Sequence, residues 1–267
     1  MKTHAKTSMG PARDERGFTL VELMVTVAIA LFLLGGLVTV VQTVRMASIN
    51  QQALAQLQDE QRFALTVITD AIQSAGYFAN PLTDTIGNFG AAVNPAPTTP
   101  TAAFLQGSAF TGFHTVGAAD NAAQDTLATR FMVSPGHGPI LCDGTDSSLA
   151  AAPLTYTIAF FVQVTPGVGN QLMCSVNGAA PVALVTGVTA MAVYYGVKRQ
   201  VIPADYNVDT YLTWDQMVAP SDMQSVSAVR VVLSFGNPLA GPGQPNQPAV
   251  ITMERVVEVM ARAGLHT

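Results

Sequence analysis

A single carboxylate stands in a stretch where charge is otherwise absent. Glu22 is the only ionisable side chain from Phe18 to Val41. A carboxylate inside an apolar span costs roughly 3 kcal/mol on insertion scales, so it needs a cation at the same depth. Cleavage between Gly17 and Phe18 would create an amine four residues before Glu22, and that amine on a neighbouring copy could pair with the carboxylate. The alternative is a carboxylate near the membrane interface that snorkels or protonates.

The two cysteines, Cys142 and Cys174, offer a second chemistry. Both lie on the side of the chain that the charge pattern places outside the cytoplasm, where disulfides persist. A bond between them would remove on the order of 3–4 kcal/mol of unfolded-state entropy. The sequence therefore predicts a disulfide, and two buried thiols are the alternative. A metal site is not expected, because the nearest histidines, His114 and His137, lack ligand spacing.

The sequence contains no recognisable catalytic constellation. Residues 134–138 (SPGHG) form a turn pattern, and no Walker, GxSxG or HExxH motif occurs. Four acidic residues lack the spacing of a calcium loop and are expected to form a solvated surface, with weak cation binding as the alternative: Asp205, Asp209, Asp215 and Asp222. We therefore predict no enzymatic activity, no metal and no cofactor.

Trp214 lies near Tyr206 and Tyr211 in a segment predicted to be a loop. Such an aromatic group could anchor a partner protein, although burial in the core is the favoured alternative.

Nucleic acid is not an expected partner. The chain carries a net charge of −5, and Lys198 and Arg199 are an isolated basic pair.

The apolar stretch that contains Glu22 is long enough to cross a membrane. Such a helix would be ~35 Å long, against a hydrocarbon core of ~30 Å. It is too long for the apolar part of a removed secretory signal. Basic residues are concentrated before it, at Lys2, Lys6, Arg13 and Arg16. The positive-inside rule then predicts a cytoplasmic amino terminus and an exported carboxy-terminal part.

The helix is predicted to continue beyond the span, over residues 18–76. Apolar residues recur at helical spacing, which indicates a stripe for packing on a domain: Ile49, Ala53, Leu57, Ala64, Ile68 and Ile72. A coiled-coil stalk is the weaker alternative, because the heptads are imperfect. Gly76 is a plausible carboxy-terminal cap and Pro81 opposes continuation.

The remaining residues are enough for one domain with its own core. Residues 78–122 lack clear periodicity and are expected to form an exposed connection. Strand patterns follow at 126–133, 154–164, 172–176, 182–185, 188–197 and 225–235, and residues 250–260 form a last strand or a short helix. The order predicts an α+β fold, with an antiparallel sheet laid on the helix.

The motif from Arg16 to Glu22 (RGFTLVE) resembles the signal of type IV pilins and pseudopilins. The resemblance implies cleavage after Gly17 by a prepilin peptidase, N-methylation of Phe18, and a role for Glu22 in subunit registration. Residues 61–77 resemble the stretch that follows the span in the PilW group of minor pilins, with RFAL, an aspartate and AGY. Weaker patches, at 125–127, 174–197, Trp214 and 229–231, resemble the same group.

The resemblance implies a pilin-like fold in five parts: a cleaved leader (1–17), the membrane half of the helix (18–44), its amphipathic half (45–76), a variable connection (77–124) and a periplasmic β-sheet head (125–267). It further implies a minor pilin, stored in the inner membrane and later assembled in the pilus at the cell surface. In a priming or tip complex it would start pilus assembly, and so serve adhesion and twitching motility.

The implied partners are other minor pilins, the major pilin, the prepilin peptidase and methyltransferase, and, in some systems, a tip adhesin. The alternative function is that of a minor pseudopilin in a type II secretion system. A membrane-anchored envelope enzyme or ligand-binding module is the third class, and the absence of a readable nucleophile, base and orienting group opposes it.

Overall fold

The computed structural model describes residues 17, 19–80, 82–84, 86–91, 103–199, 207–241 and 246–263. The chain divides into two units, Met1–Gln52 and Ala53–Thr267. Helix α1 (Leu20–Ser74) contributes to both. The predicted helix of residues 18–76 thus agrees with the structure to within two residues at each end, although Phe18 lies outside the described residues.

The first unit consists, in its described part, of the apolar half of α1. All its described side chains are exposed, and an 18-residue window of the helix has a mean hydropathy of 2.6. By length and composition, α1 could therefore span a membrane. Ile49 belongs to this unit and is 59% exposed, so its assignment to the packed stripe is wrong.

In the second unit, α1 packs one stripe into a hydrophobic core. The buried positions of the helix follow helical spacing: Leu57, Gln61, Ala64, Leu65, Ile68, Ala71 and Ile72. The helix ends at Ser74, and Gly76 follows it with a φ of 77°, which glycine readily adopts. The Gly76 amide donates a 2.9 Å hydrogen bond to the carbonyl of Arg130, which ties the end of the helix to the sheet.

The strands of this unit form two antiparallel sheets, where the sequence predicted one. The first sheet has the order β1 (Phe110–Phe113), β2 (Thr126–Val133), β3 (Leu154–Thr165), β4 (Gly169–Val176) and β5 (Val182–Thr186). The second has the order β7 (Thr210–Leu212), β6 (Val188–Val197), β8 (Ala228–Gly236) and β9 (Val250–Glu258). The helix and sheets confirm the predicted α+β, pilin-like fold.

The change of sheet occurs at Gly187, between β5 and β6. Gly187 has a φ of 75°, a conformation that L side chains rarely adopt. Its amide donates to Asn170, beside the β4–β5 pairing, and its carbonyl accepts from Gly236 at the end of β8. The residue therefore bridges both sheets while it redirects the chain.

One core joins the helix to both sheets. It includes Ile68 and Ile72 of α1, Phe131 and Phe160 of the first sheet, and Tyr195 with other residues of the second. Two short helices complete the unit, α2 (Pro220–Gln224) and α3 (Met260–Ala263). The segment 250–260, predicted as a strand or a short helix, contains β9 and the start of α3.

The described part of the connection between α1 and the sheets is exposed at many positions, as predicted, but it also contains buried residues. Phe89 and Phe104 are 2% and 1% exposed, and β1 lies inside the segment predicted as irregular. Residues 92–102, which include most of its proline-rich part, lie outside the described residues. The buried aromatic side chains lie against the sheet, so hydrophobic burial orders the part that is described.

Candidate functional site

The amino-terminal motif lies at the start of α1, where Thr19 precedes the first helical residue. The Glu22 amide donates a 3.3 Å hydrogen bond to Thr19 Oγ1, which satisfies one of the free amides of the first turn. Glu22 stands at the position where a carboxylate interacts favourably with the helix dipole. Gly17 and Glu22 are exposed, whereas Phe18 lies outside the described residues. Thr19 is thus a capping residue that our sequence analysis did not identify.

A disulfide joins Cys142 to Cys174, with 6.3 Å between the two Cα atoms. Cys174 is fully buried in β4, and Cys142 is partly buried in the loop after β2. The neighbouring Leu141 packs into the core, while Ile140 remains 75% exposed. The disulfide therefore holds this loop against the first sheet and leaves Ile140 at the surface.

Replacement of both cysteines by alanine should lower the free energy of unfolding by about 3 kcal/mol, because the loop they close is then unconstrained in the unfolded chain. Urea denaturation of the full-length protein in detergent measures the loss. Wild-type protein under reducing conditions is the matched control and should show a similar loss. Equal stability of oxidised wild type and the double variant would contradict a stabilising role for the bond.

His114 and Asp125 form a side-chain contact of the kind found in catalytic triads. The His114 Nδ1 lies 3.0 Å from both carboxylate oxygens of Asp125, which is 1% exposed. Those oxygens also accept hydrogen bonds from the amides of Thr115 and Val193, at 2.9 Å each. Because Val193 lies in β6 and Asp125 precedes β2, the carboxylate connects the two sheets. Its hydrogen bonds support a structural role.

The connection between β1 and β2, which contains Asp120, also contacts the second sheet at the surface of the protein. The Tyr194 hydroxyl donates a hydrogen bond to Asp120, and this bond, together with burial, raises the pKa of Tyr194 to about 12. The Arg230 guanidinium lies 5.1 Å from the Tyr194 ring centroid and also pairs with Glu254. These polar contacts fasten the β1–β2 connection to the outer face of the second sheet.

Trp214 contributes to the domain and is not part of an exposed aromatic cluster in the described structure. It lies in a short 3₁₀ turn, Trp214–Gln216, packs against the core, and meets the buried Tyr195 edge to face at 5.5 Å. Tyr211 is 40% exposed, and Tyr206 lies outside the described residues. Of the two alternatives for Trp214, packing against the core therefore agrees better with the structure than an exposed anchor for a partner protein.

The prediction that the four acidic residues form a solvated surface is wrong for Asp222. This residue is 8% exposed and accepts a 2.9 Å hydrogen bond from the Arg199 guanidinium. Asp209 and Asp215 are exposed, and Asp205 lies outside the described residues. The described residues contain no group of three or more His, Cys, Asp or Glu side chains arranged to hold a metal ion.

Among the described residues, Arg130 is the largest fully buried side chain, and it was not identified from the sequence. Its guanidinium donates to the carbonyls of Ser108, Gly90 and Leu105, at 2.6, 2.6 and 2.7 Å. It also lies 4.9 and 4.7 Å from the ring centroids of Phe89 and Phe104. Burial lowers the pKa of Arg130 to about 10, so the group remains charged at neutral pH. Arg130 thus anchors the connection between α1 and β1 to the face of β2.

Two family models match the chain. The prokaryotic N-terminal methylation motif matches residues 12–38, which contain Gly17, Phe18 and Glu22. The family described as type IV pilus-assembly protein W matches residues 159–256, from β3 to β9. Comparisons with curated proteins and with solved structures give no significant match.

The methylation motif on a long apolar helix, followed by a β-sheet head, defines a membrane-anchored type IV pilin. Within this class the chain is PilW-like over residues 159–256, and the two matches together support a minor pilin of the type IV pilus. The PilW family is a structural component of the pilus, and this assembly context implies interaction with other pilins and with a prepilin peptidase. The resemblance found in the sequence is confirmed at this level.

Proposed function

We propose that this protein acts in a priming or tip complex that initiates assembly of the type IV pilus. The observation that carries the proposal is the presence of both matches in one chain, one on the apolar helix and one on the head. Moving an apolar helix from lipid to a bundle of similar helices yields little net hydrophobic gain. Specific assembly must therefore come from Glu22 and from contacts of the head.

The maturation step is cleavage after Gly17 by a prepilin peptidase, followed by N-methylation of Phe18. Gly17 is exposed, and nothing lies within 4 Å of the position that a Cβ would occupy there. The bond to be cleaved lies before the helix begins at Leu20, where a peptidase can bind the chain in an extended form. Hydrolysis leaves a new amine on Phe18, to which the methyltransferase adds a methyl group.

In the assembled filament, the cationic amine of Phe18 on a neighbouring subunit would pair with the Glu22 carboxylate. All described side chains around Glu22 are exposed, so a neighbouring helix can approach it. The pair offsets the cost of placing either charge in an apolar bundle. Because the amine and the carboxylate are close along the helix, their pairing also sets the axial register of two subunits.

The basic leader residues support a cytoplasmic amino terminus and a periplasmic head, with α1 in the inner membrane. The partners in this arrangement are the other minor pilins, the major pilin, and the peptidase and methyltransferase. A tip adhesin is a further partner, which would bind the head. The same arrangement supports the proposed division into leader (1–17), membrane half of the helix (18–44), amphipathic half (45–76), connection (77–124) and head (125–267).

Intact-mass analysis of the protein from membranes tests the maturation step. In cells with the peptidase we expect loss of residues 1–17 and gain of one methyl group, whereas cells without it should retain the full chain. The Gly17→Ala variant is expected to remain largely unprocessed, because a side chain is added at the cleaved bond. An unchanged amino terminus in cells with active peptidase would contradict the proposal.

Deletion of the gene distinguishes a role in the type IV pilus from a role in type II secretion. We expect at least a tenfold loss of surface pili and of twitching motility, with secretion of exoproteins unchanged. The opposite pattern would support the pseudopilin alternative.

Coexpression with other minor pilins, followed by recovery of a complex, tests the priming role. We expect a complex to form before any filament is present.

A further inference from the structure

A groove runs along α1 on the side of the head where the disulfide loop lies. Residues of α1 form one wall, and four of them lie at spacings of four, three and four residues: Phe63, Val67, Asp70 and Ser74. This spacing presents them on a single face of the helix over ~16 Å. Phe131 contributes to the floor, and residues 139–142 form the opposite wall. We refer to this surface as the helix-side groove.

The groove consists of two adjoining hollows of about 310 and 940 Å³. They share Asp70, Ser74, Phe131, Pro139 and Ile140, so they form one continuous depression. The second hollow extends past the end of α1 to Tyr77, Phe78 and Met260. The wall of ~16 Å along α1 is long enough to contact about three turns of a helix or a short extended segment.

The groove is lined by apolar side chains that the domain leaves uncovered. Phe63, Tyr77, Ile140 and Met260 are 52%, 51%, 75% and 61% exposed. The Ile140 wall is held in place, because the adjacent Leu141 is buried and Cys142 is bonded to Cys174. A contiguous, preformed apolar surface of this kind is typical of a protein-binding site.

The charges around the groove indicate the chemistry of its partner. Asp70 lines both hollows and His137 lines the larger one, whereas no lysine or arginine lines either hollow among the described residues. The exposed Asp143 precedes Gly144, which lines the smaller hollow, and Asp146 follows shortly after. From residue 53 onward, Asp and Glu outnumber Lys and Arg by two to one. An apolar surface flanked by basic side chains is therefore complementary, whereas a second acidic head is repelled.

We infer that the helix-side groove is the docking site for a basic, apolar surface on the head of a different pilin. This inference rests on the proposed function, since it names the surface through which the head joins a priming complex. Apolar contact with Phe63, Ile140 and Met260 supplies the affinity. The carboxylate of Asp70 selects a basic partner over a second copy of this chain.

Photo-crosslinking of the full-length protein in piliated cells tests the inference. Benzoylphenylalanine replaces Ile140 in one variant and Val218, which is 83% exposed and does not line the groove, in the other. We expect Ile140 to crosslink to another pilin, identified by mass spectrometry through its own methylation motif, at a peptide containing Lys or Arg. The Val218 position should give at least threefold less of this adduct.

Charge variants then test the selectivity. Asp70→Lys in the Ile140 reporter should reduce the adduct at least threefold, and Phe63→Gln should reduce it through loss of apolar contact. Asp59→Lys is the matched control, since Asp59 is exposed on the same helix but does not line the groove, and it should leave the yield unchanged. Unchanged thermal unfolding of each variant shows that the fold is retained.

The inference is overturned if Ile140 crosslinks only to a second copy, to its own chain or to lipid, or gives no adduct. Equal yields for Asp70→Lys and Asp59→Lys also overturn it. Intact mass is measured on the same samples. If the protein is processed and methylated but gives no expected adduct, only the docking role of the helix-side groove is refuted. If the protein is unprocessed and pili are absent, the proposed function is refuted.

Discussion

Replacement of Arg130 by alanine should lower the free energy of unfolding of the head by about 3–5 kcal/mol. The variant leaves a cavity between the rings of Phe89 and Phe104 and removes three charge-assisted hydrogen bonds to main-chain carbonyls. Arg130→Lys should lose less, about 2 kcal/mol, because it keeps the charge but not the planar arrangement of donors. Urea denaturation of the full-length protein in detergent measures both losses.

The matched control is Arg230→Ala, which removes an arginine from a surface pair with Glu254. A surface ion pair contributes about 1 kcal/mol or less, so this variant should unfold almost like wild type. Hydrogen exchange adds a local measurement: loss of Arg130 should increase exchange at Gly107 and Ser108, whose segment it anchors. Equal stability of the two arginine variants would show that burial of Arg130 is not a source of order in the connection.

Replacement of Glu22 by alanine should reduce incorporation into filaments more than tenfold while leaving the amount in the membrane unchanged. Insertion should be unaffected, because an apolar span becomes less costly to insert when its charge is removed. Assembly should fail, because the variant leaves the amine of a neighbouring subunit without its anion in an apolar bundle. The measurement is the ratio of this protein in sheared pili to that in membranes.

Thr19→Ala separates pairing from helix capping in that experiment. This variant removes the hydroxyl that caps the first turn, at a cost of about 1 kcal/mol, but retains the carboxylate. We expect incorporation within about threefold of wild type. If Thr19→Ala and Glu22→Ala were equally impaired, the helix start rather than the ion pair would explain the phenotype. Wild-type incorporation of Glu22→Ala would contradict the registration role.

Features with local causes could be predicted from the sequence. The length and apolar character of α1 depend on consecutive residues, and its packed stripe follows from helical spacing. Strand positions such as 126–133 agree with the structure because alternation and β-branched residues are local signals. The Asn177-Gly178 dipeptide is typical of a tight turn, and in the structure both residues have a positive φ.

Other features depend on which segments meet in space. Strand patterns do not specify their partners, so one sheet was predicted where Gly187 divides the strands between two. Phe89 and Phe104 lie in a segment without periodicity, and only their packing around Arg130 reveals why that segment is ordered. A charged residue within a strand was the one available signal for Arg130, and it does not identify distant carbonyl partners.

The sequence by itself determined the membrane-length helix, the acidic residue near its start and the class of protein, because each depends on neighbouring residues. The tertiary structure alone decided where the disulfide loop lies, how Asp125 connects the sheets and which apolar side chains remain exposed along α1. These depend on contacts between residues far apart in the chain. Long-range packing, unlike hydrophobic periodicity, leaves no regular pattern in a single sequence.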